Sequence, residues 1–201
     1  MFYRLSCKIA GYMTDNKIII SDDEAICQYG IQQLFTMLVN LICTIIIGVL
    51  YERLFESILI VALYIPLRSY AGGFHAKTSF RCFVYSLVMM FLLLSVIKFF
   101  KLGNTICFII CIMSGIIIFL VSPVPDKNKP LEKIEYKVFK RRSRQILAIE
   151  VLLFVVSILT KWNTIAECVS LSLGLVAVML VMGRKKQRVR FHLGDIPDER
   201  L

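Results

Sequence analysis

His75 and Cys82 stand seven residues apart in a short polar stretch of this 201-residue chain, Arg68-Ser-Tyr-Ala-Gly-Gly-Phe-His-Ala-Lys-Thr-Ser-Phe-Arg-Cys82. A cysteine attacks as its thiolate, and cations beside it favour that form. Arg81 adjoins Cys82, and Arg68 and Lys77 share the segment. An imidazole within reach takes the thiol proton and later returns it to a leaving amine. Gly72-Gly73 removes two side chains just before the histidine, which permits positive φ or the close approach of another backbone, such as an extended peptide. If the segment were one straight helix, the two residues would share a face but lie roughly 10.5 Å apart along the axis. Contact therefore requires a bend, a non-helical stretch or a rearrangement on binding. Spacing and charge alone also describe a loop histidine near a buried thiol.

The other chemistry-bearing residues are less suited to catalysis. Cys43, Cys107, Cys111 and Cys168 lie in apolar runs, where a cysteine is usually a small buried hydrophobe. Seven cysteines with no CxxC pair support neither a disulfide framework nor a zinc site, and the only other histidine is His192. No metal and no organic cofactor is expected. Gln33, Thr36, Asn40 and Thr44 fall on one helical face with Gln32 beside them. They read as interhelical hydrogen-bonding groups, or as a polar wall along a substrate cavity with a glutamine amide donating to an oxyanion. Glu150, set inside an apolar run, is either functional or paired with Arg144 or another cation.

The elements that must carry these residues are membrane spans. The chain is 58% hydrophobic, with a mean hydropathy of +0.74, above the usual range for soluble domains. The apolar residues gather in runs at 31–50, 57–67, 83–97, 105–121, 146–160 and 164–183. The expected fold is an all-α polytopic integral membrane protein of about six transmembrane helices. The 57–67 run is short and must extend through Tyr70 to cross. An amphipathic N-terminal segment, with Phe2, Leu5 and Ile9 on one face, is expected to lie in the interface. Ser21-Asp22-Asp23-Glu24 reads as a capping box that starts the first long helix. No cleavable signal peptide is visible in residues 1–30. The chain is read as a single membrane domain: an interfacial segment over 1–30, a bundle over 31–183 and a basic tail over 184–201.

Six spans place both termini on one side. All 24 lysines and arginines except Arg53, Lys98, Lys101 and Lys161 then fall on that same side. The positive-inside rule makes it the cytoplasm. The net charge of +10 is explained by basic loops facing anionic lipid, and no nucleic acid partner is expected. The basic run Lys137–Arg144 is read as enforcing topology or binding anionic lipid.

The segment from Arg68 to Cys82 closely resembles the signature of the accessory gene regulator protein B family. The likeness extends to span order, chain length, the loop Pro123-Val-Pro-Asp-Lys-Asn-Lys-Pro-Leu131 and the Gly30-Ile-Gln32 entry to the first span. It covers residues 1–183; the chain after about Arg190 matches nothing recognisable. The resemblance implies a quorum-sensing endopeptidase in the bacterial cell membrane. Its substrate is a small pro-peptide, cut with His75 and Cys82 and cyclised through an acyl-enzyme to a thiolactone or lactone. It also implies a precursor with an acidic tail, which the run Lys137–Arg144 would recruit, and is compatible with a homodimer. Beside it, Arg68, Gly72 and Gly73 are read as supporting the shape and charge of the site, Gln32 and Gln33 as part of the polar wall, and Lys127 and Lys129 as the lysines better placed for substrate contact. The rival reading is a small membrane transporter or peptide-export component that uses the polar first span as a lumen. Such a protein has no need for a thiol beside a histidine.

Overall fold

The computed structural model describes residues 3–74, 79–124 and 133–192. They form seven α-helices: α1 (Tyr3–Asp15), α2 (Glu24–Leu50), α3 (Leu54–Ala71), α4 (Ser79–Phe99), α5 (Asn104–Val121), α6 (Lys133–Leu159) and α7 (Asn163–His192). The protein is a multi-pass membrane protein. Helices α2, α3, α4, α5 and α7 are each long and apolar enough to cross a membrane. At about 1.5 Å per residue, the 18 residues of α3 cover nearly the whole hydrocarbon thickness. The short run at 57–67 is lengthened at both ends, as a crossing requires. Helix α6 occupies the position of the remaining expected span. Its apolar part begins only at Ile146, after Arg141, Arg142 and Arg144; α7 is the mirror case, apolar to Gly183 and basic from Arg184.

Each turn forms where the side chains demand it. Helix α2 stops at Leu50, and Glu52 reverses the chain with a φ of 58°. Arg53 then pairs with Glu56 at 2.8 Å as α3 begins. Gly103 caps α5, and Lys161, with a φ of 61°, turns α6 into α7. These three turns share one end of the bundle, where the Tyr51 hydroxyl meets Ser95 near the end of α4 at 3.0 Å. At the opposite end, the Tyr70 and Phe139 rings meet edge to face. Nearby, the Ser122 and Ser143 hydroxyls bond at 3.0 Å.

The start of α2 differs from a simple capping box. A 3-10 turn over Ser21–Asp23 precedes it, and Asp23 caps without a side-chain hydrogen bond. The Glu24 carboxylate instead accepts from the Thr14 hydroxyl of α1, which ties α1 to α2. Helix α1 buries Ser6 and Ala10 and leaves Tyr3, Leu5 and Tyr12 exposed. That outward apolar face suits an interfacial helix.

Helix α7 is the hub. Of its apolar stretch 67% is buried, against 12% for α2, and it packs against α3, α5 and α6. Leu67, Ile118, Leu147, Phe154, Leu173 and Val176 form the main core between these helices. A second cluster of Ile60, Met90, Leu94, Ile97 and Cys168 fastens α4 to α3 and α7. Helix α2 packs on α3 and α4 and leaves most of its surface outward, as a lipid-facing helix does. A space between α2, α3, α4 and α7 is thereby left, reaching the level of Cys82.

Candidate functional site

The helical run of α3 ends at Ala71 because Gly72 and Gly73 adopt φ values of 71° and 118°, which side chains disfavour. No single straight helix joins Gly72 to Cys82, because Gly72, Gly73 and Phe74 are not helical. The glycines also make room. A Cβ on Gly72 would lie 2.1 Å from the Val124 carbonyl oxygen, and one on Gly73 would lie 2.9 Å from that of Met179. The backbones that approach are the chain's own. Val124 N–H donates to Ala71 at 2.9 Å, Gly73 N–H donates to Val124 at 3.2 Å, and Phe74 N–H donates to Met179 of α7 at 2.9 Å.

Three further contacts hold this segment. Arg68, in the last turn of α3, donates from Nη2 to the Phe74 carbonyl. The Phe74 ring meets Tyr85 of α4 edge to face, with centroids 6.3 Å apart. Gly183, one turn after Met179, lets α7 lie against the segment: a Cβ there would sit 2.6 Å from the Gly73 carbonyl carbon. The residue leading into His75 is thus fixed by α3, α4 and α7 together. His75 itself lies outside the described residues, as do Lys127 and Lys129.

Cys82 lies in the first turn of α4 and is half-buried. It lines a cavity of about 270 Å³ enclosed by α2, α3, α4 and α7. Thr36, Asn40 and Thr44 of α2 line the same cavity, as do Arg68 and Phe74. Deeper in, the walls are apolar and include Ile60, Val61, Met89, Met90 and Leu93. Most of the polar face foreseen on the first span thus turns to the cavity and the thiol. Gln32 is half-buried and is not among the residues that line the cavity; the Gln33 side chain lies outside the described residues.

The Thr36 hydroxyl donates to the Gln32 carbonyl on its own helix at 2.9 Å. Between helices, the Ser57 hydroxyl of α3 donates to the backbone carbonyl of Thr44 at 3.0 Å. Asn40 Oδ1 and Arg68 Nη1 are buried without a hydrogen-bond partner.

Glu150 is 2% exposed and neither carboxylate oxygen has a hydrogen-bond partner. The pairing with Arg144 considered from sequence is not made. Arg144 lies over the Phe119 ring at 4.0 Å and donates to the Phe119 carbonyl. Helical phase explains this, because positions six apart differ by about 240° around the axis. Sequence reasoning also missed Gly183 and Val124. A lone glycine near the end of the last apolar run was the available sign of a close backbone approach; nothing local marked Val124.

The chain matches the family model described as Accessory gene regulator B over residues 6–180. It is 27% identical over 172 residues to the putative AgrB-like protein 2 of Clostridium perfringens strain 13, covering 82% of this chain and 80% of that one. It is 29% identical over 115 residues to accessory gene regulator protein B of Staphylococcus aureus strain Newman, covering 57% of this chain and 59% of that one. A putative AgrB-like protein of Clostridium acetobutylicum is 26% identical over 143 residues, covering 71% of this chain and 68% of that one. No solved structure matches the fold.

Proposed function

Given that the chain belongs to the accessory gene regulator B family, we propose that it is a membrane-embedded cysteine endopeptidase that cuts and cyclises a small pro-peptide for quorum sensing. The observation that carries this reading is the position of Cys82. It is the cysteine that lines the cavity between α2, α3, α4 and α7, together with Phe74 of the segment that Arg68 braces. Gly72 and Gly73 end α3 just before His75, so the histidine does not continue the axis of α3.

In this reading His75 accepts the Cys82 thiol proton, and the sulfur attacks the scissile carbonyl. The C–N bond breaks, and the imidazolium returns the proton to the departing amine. The acyl part remains on Cys82 as a thioester. A thiol or hydroxyl within the bound peptide then attacks that thioester, closes the ring and releases Cys82. In this reading backbone N–H groups near the start of α4 stabilise the developing oxyanion. A cavity with apolar walls excludes water, so the internal nucleophile competes well with hydrolysis. The site faces the cytoplasm, where such a precursor is made. Lys127 and Lys129 contact the precursor's acidic tail.

Cys82→Ser and His75→Ala each abolish cleavage of the precursor encoded beside the gene while leaving membrane insertion intact. A dyad acts as a unit, so the double variant is no worse than either single one. Mass spectrometry of the wild-type protein finds an adduct on Cys82 with the mass of the precursor's N-terminal part. Full activity of Cys82→Ser, or an adduct on another cysteine, overturns the assignment. A transporter would tolerate both substitutions.

A further inference from the structure

We infer that the cavity beneath Cys82 is a binding pocket for one apolar residue of the substrate, the residue whose carbonyl becomes the thioester, and that Asn40 and Arg68 hold a peptide group of the chain entering it. This rests on Cys82 being the nucleophile. An acyl group on the sulfur has its side chain only a few bonds from the thiol, so that side chain must occupy the space Cys82 borders. That space is walled by Met89, Met90, Leu93, Ile60 and Val61. Methionines adapt to varied apolar shapes without offering a strong hydrogen bond, and none of these five side chains carries a charge. A basic side chain would be buried there unpaired, and an acidic one would find a cation only at Arg68, the group assigned to the peptide backbone.

The polar half of the cavity supplies the second argument. Asn40 Oδ1 and Arg68 Nη1 are both buried, and neither has a hydrogen-bond partner. One accepts and one donates. Buried polar groups are nearly always satisfied, so such exceptions point to a missing partner. A peptide unit offers one N–H and one C=O, which complement that acceptor and donor. If the carboxamide is turned the other way, it still offers both functions. The second nitrogen of Arg68 is already committed to the Phe74 carbonyl. The same guanidinium therefore braces the segment leading to His75 and receives the substrate backbone.

The probes are acetyl-dipeptidyl chloromethyl ketones that end in leucine, glycine or glutamate. Their rates of alkylating Cys82 in the full-length protein in membranes are followed by peptide mapping. Iodoacetamide, which lacks a peptide, gives the baseline reactivity of the thiol. The leucine reagent should label Cys82 about tenfold or more faster than the other two, the scale on which an apolar pocket discriminates. Met89→Trp, which fills the pocket, should remove the leucine advantage. Asn40→Leu should slow all three peptidyl reagents and leave the iodoacetamide rate unchanged, which also reports an intact fold. Equal rates for the three reagents, or a pattern unaffected by both substitutions, would overturn the pocket while leaving the nucleophile in place. A Cys82 that fails to react even with iodoacetamide overturns the nucleophile and the pocket with it.

Discussion

Replacing Gly183 by alanine sets two calculable effects against each other. Gly183 lies inside α7, and a helix-interior glycine costs about 0.8–1.0 kcal/mol relative to alanine. Local propensity therefore favours the substitution. Packing opposes it. The new methyl would start 2.6 Å from the Gly73 carbonyl carbon, 2.8 Å from the Gly73 Cα and 2.7 Å from the Phe74 nitrogen. All three are backbone atoms that cannot rotate aside. Restoring ordinary contact requires the Gly73–Phe74 segment to retreat from α7 by roughly an ångström. That retreat stretches the 2.9 Å bond from Phe74 N–H to Met179, and losing a buried bond of this kind costs about 1–3 kcal/mol. The net change in stability is thus small, from near zero to about 2 kcal/mol destabilising. The effect on function is much larger, because an ångström of misplacement in a catalytic segment costs about a hundredfold in rate. The assay measures precursor cleavage in membranes beside thermal unfolding of the purified protein. Gly115→Ala, where a Cβ would meet nothing within 4 Å, is the control and should keep full activity. Wild-type cleavage by Gly183→Ala would refute the claim that α7 sets the position of the segment leading to His75.

Arg68→Lys should lower the cleavage rate by about tenfold or more despite the retained charge, because one ammonium cannot supply two nitrogens in a fixed plane; rescue of Arg68→Ala by Lys in a cleavage assay would show that charge alone suffices. Glu150→Leu should raise the thermal midpoint by several degrees and leave cleavage intact, since removing an unpartnered buried carboxyl returns about 1–3 kcal/mol; a loss of cleavage at unchanged stability would assign Glu150 a part in the reaction. In a cysteine-free variant, an impermeant thiol reagent added outside should label a cysteine introduced at position 103 and not one at 128; the reverse result would invert the topology.

The helices were legible because apolar run length is a direct consequence of bilayer thickness, and the charges between runs mark the turns. The 57–67 run looked too short only because Glu56 and Arg68 interrupt it. The structure absorbs both: Glu56 pairs with Arg53 and Arg68 turns to Phe74, so α3 spans 18 residues. Gly72-Gly73 was legible as a place where another backbone could come close. Which backbone it would be was not. The partners are Val124, 52 positions after Gly72, and Met179, 105 positions after Phe74. No local pattern encodes a register between distant elements. The phase of Glu150 relative to Arg144 was legible and argued against their pairing within one helix, whereas the turn of Arg144 onto Phe119 depended on a second helix.

The same contacts bear on how a His–Cys pair can work across seven residues. On one rigid helix, both side chains would tilt toward the N-terminus and remain about two turns apart. Here α3 ends at Gly72-Gly73, just before His75, and that end is not left loose. Three backbone hydrogen bonds, one guanidinium and one aromatic contact hold Ala71, Gly73 and Phe74. Cys82 is fixed independently by the first turn of α4. The proposed dyad is thus approached from two rigid anchors, and residues 75–78 are what remains between them. Preorganisation of this kind places the ordering cost in folding instead of in each catalytic cycle. It also predicts where damaging substitutions concentrate: at Gly72, Gly73, Arg68 and Gly183, which hold the anchors, more than on the outward faces of α2 and α5.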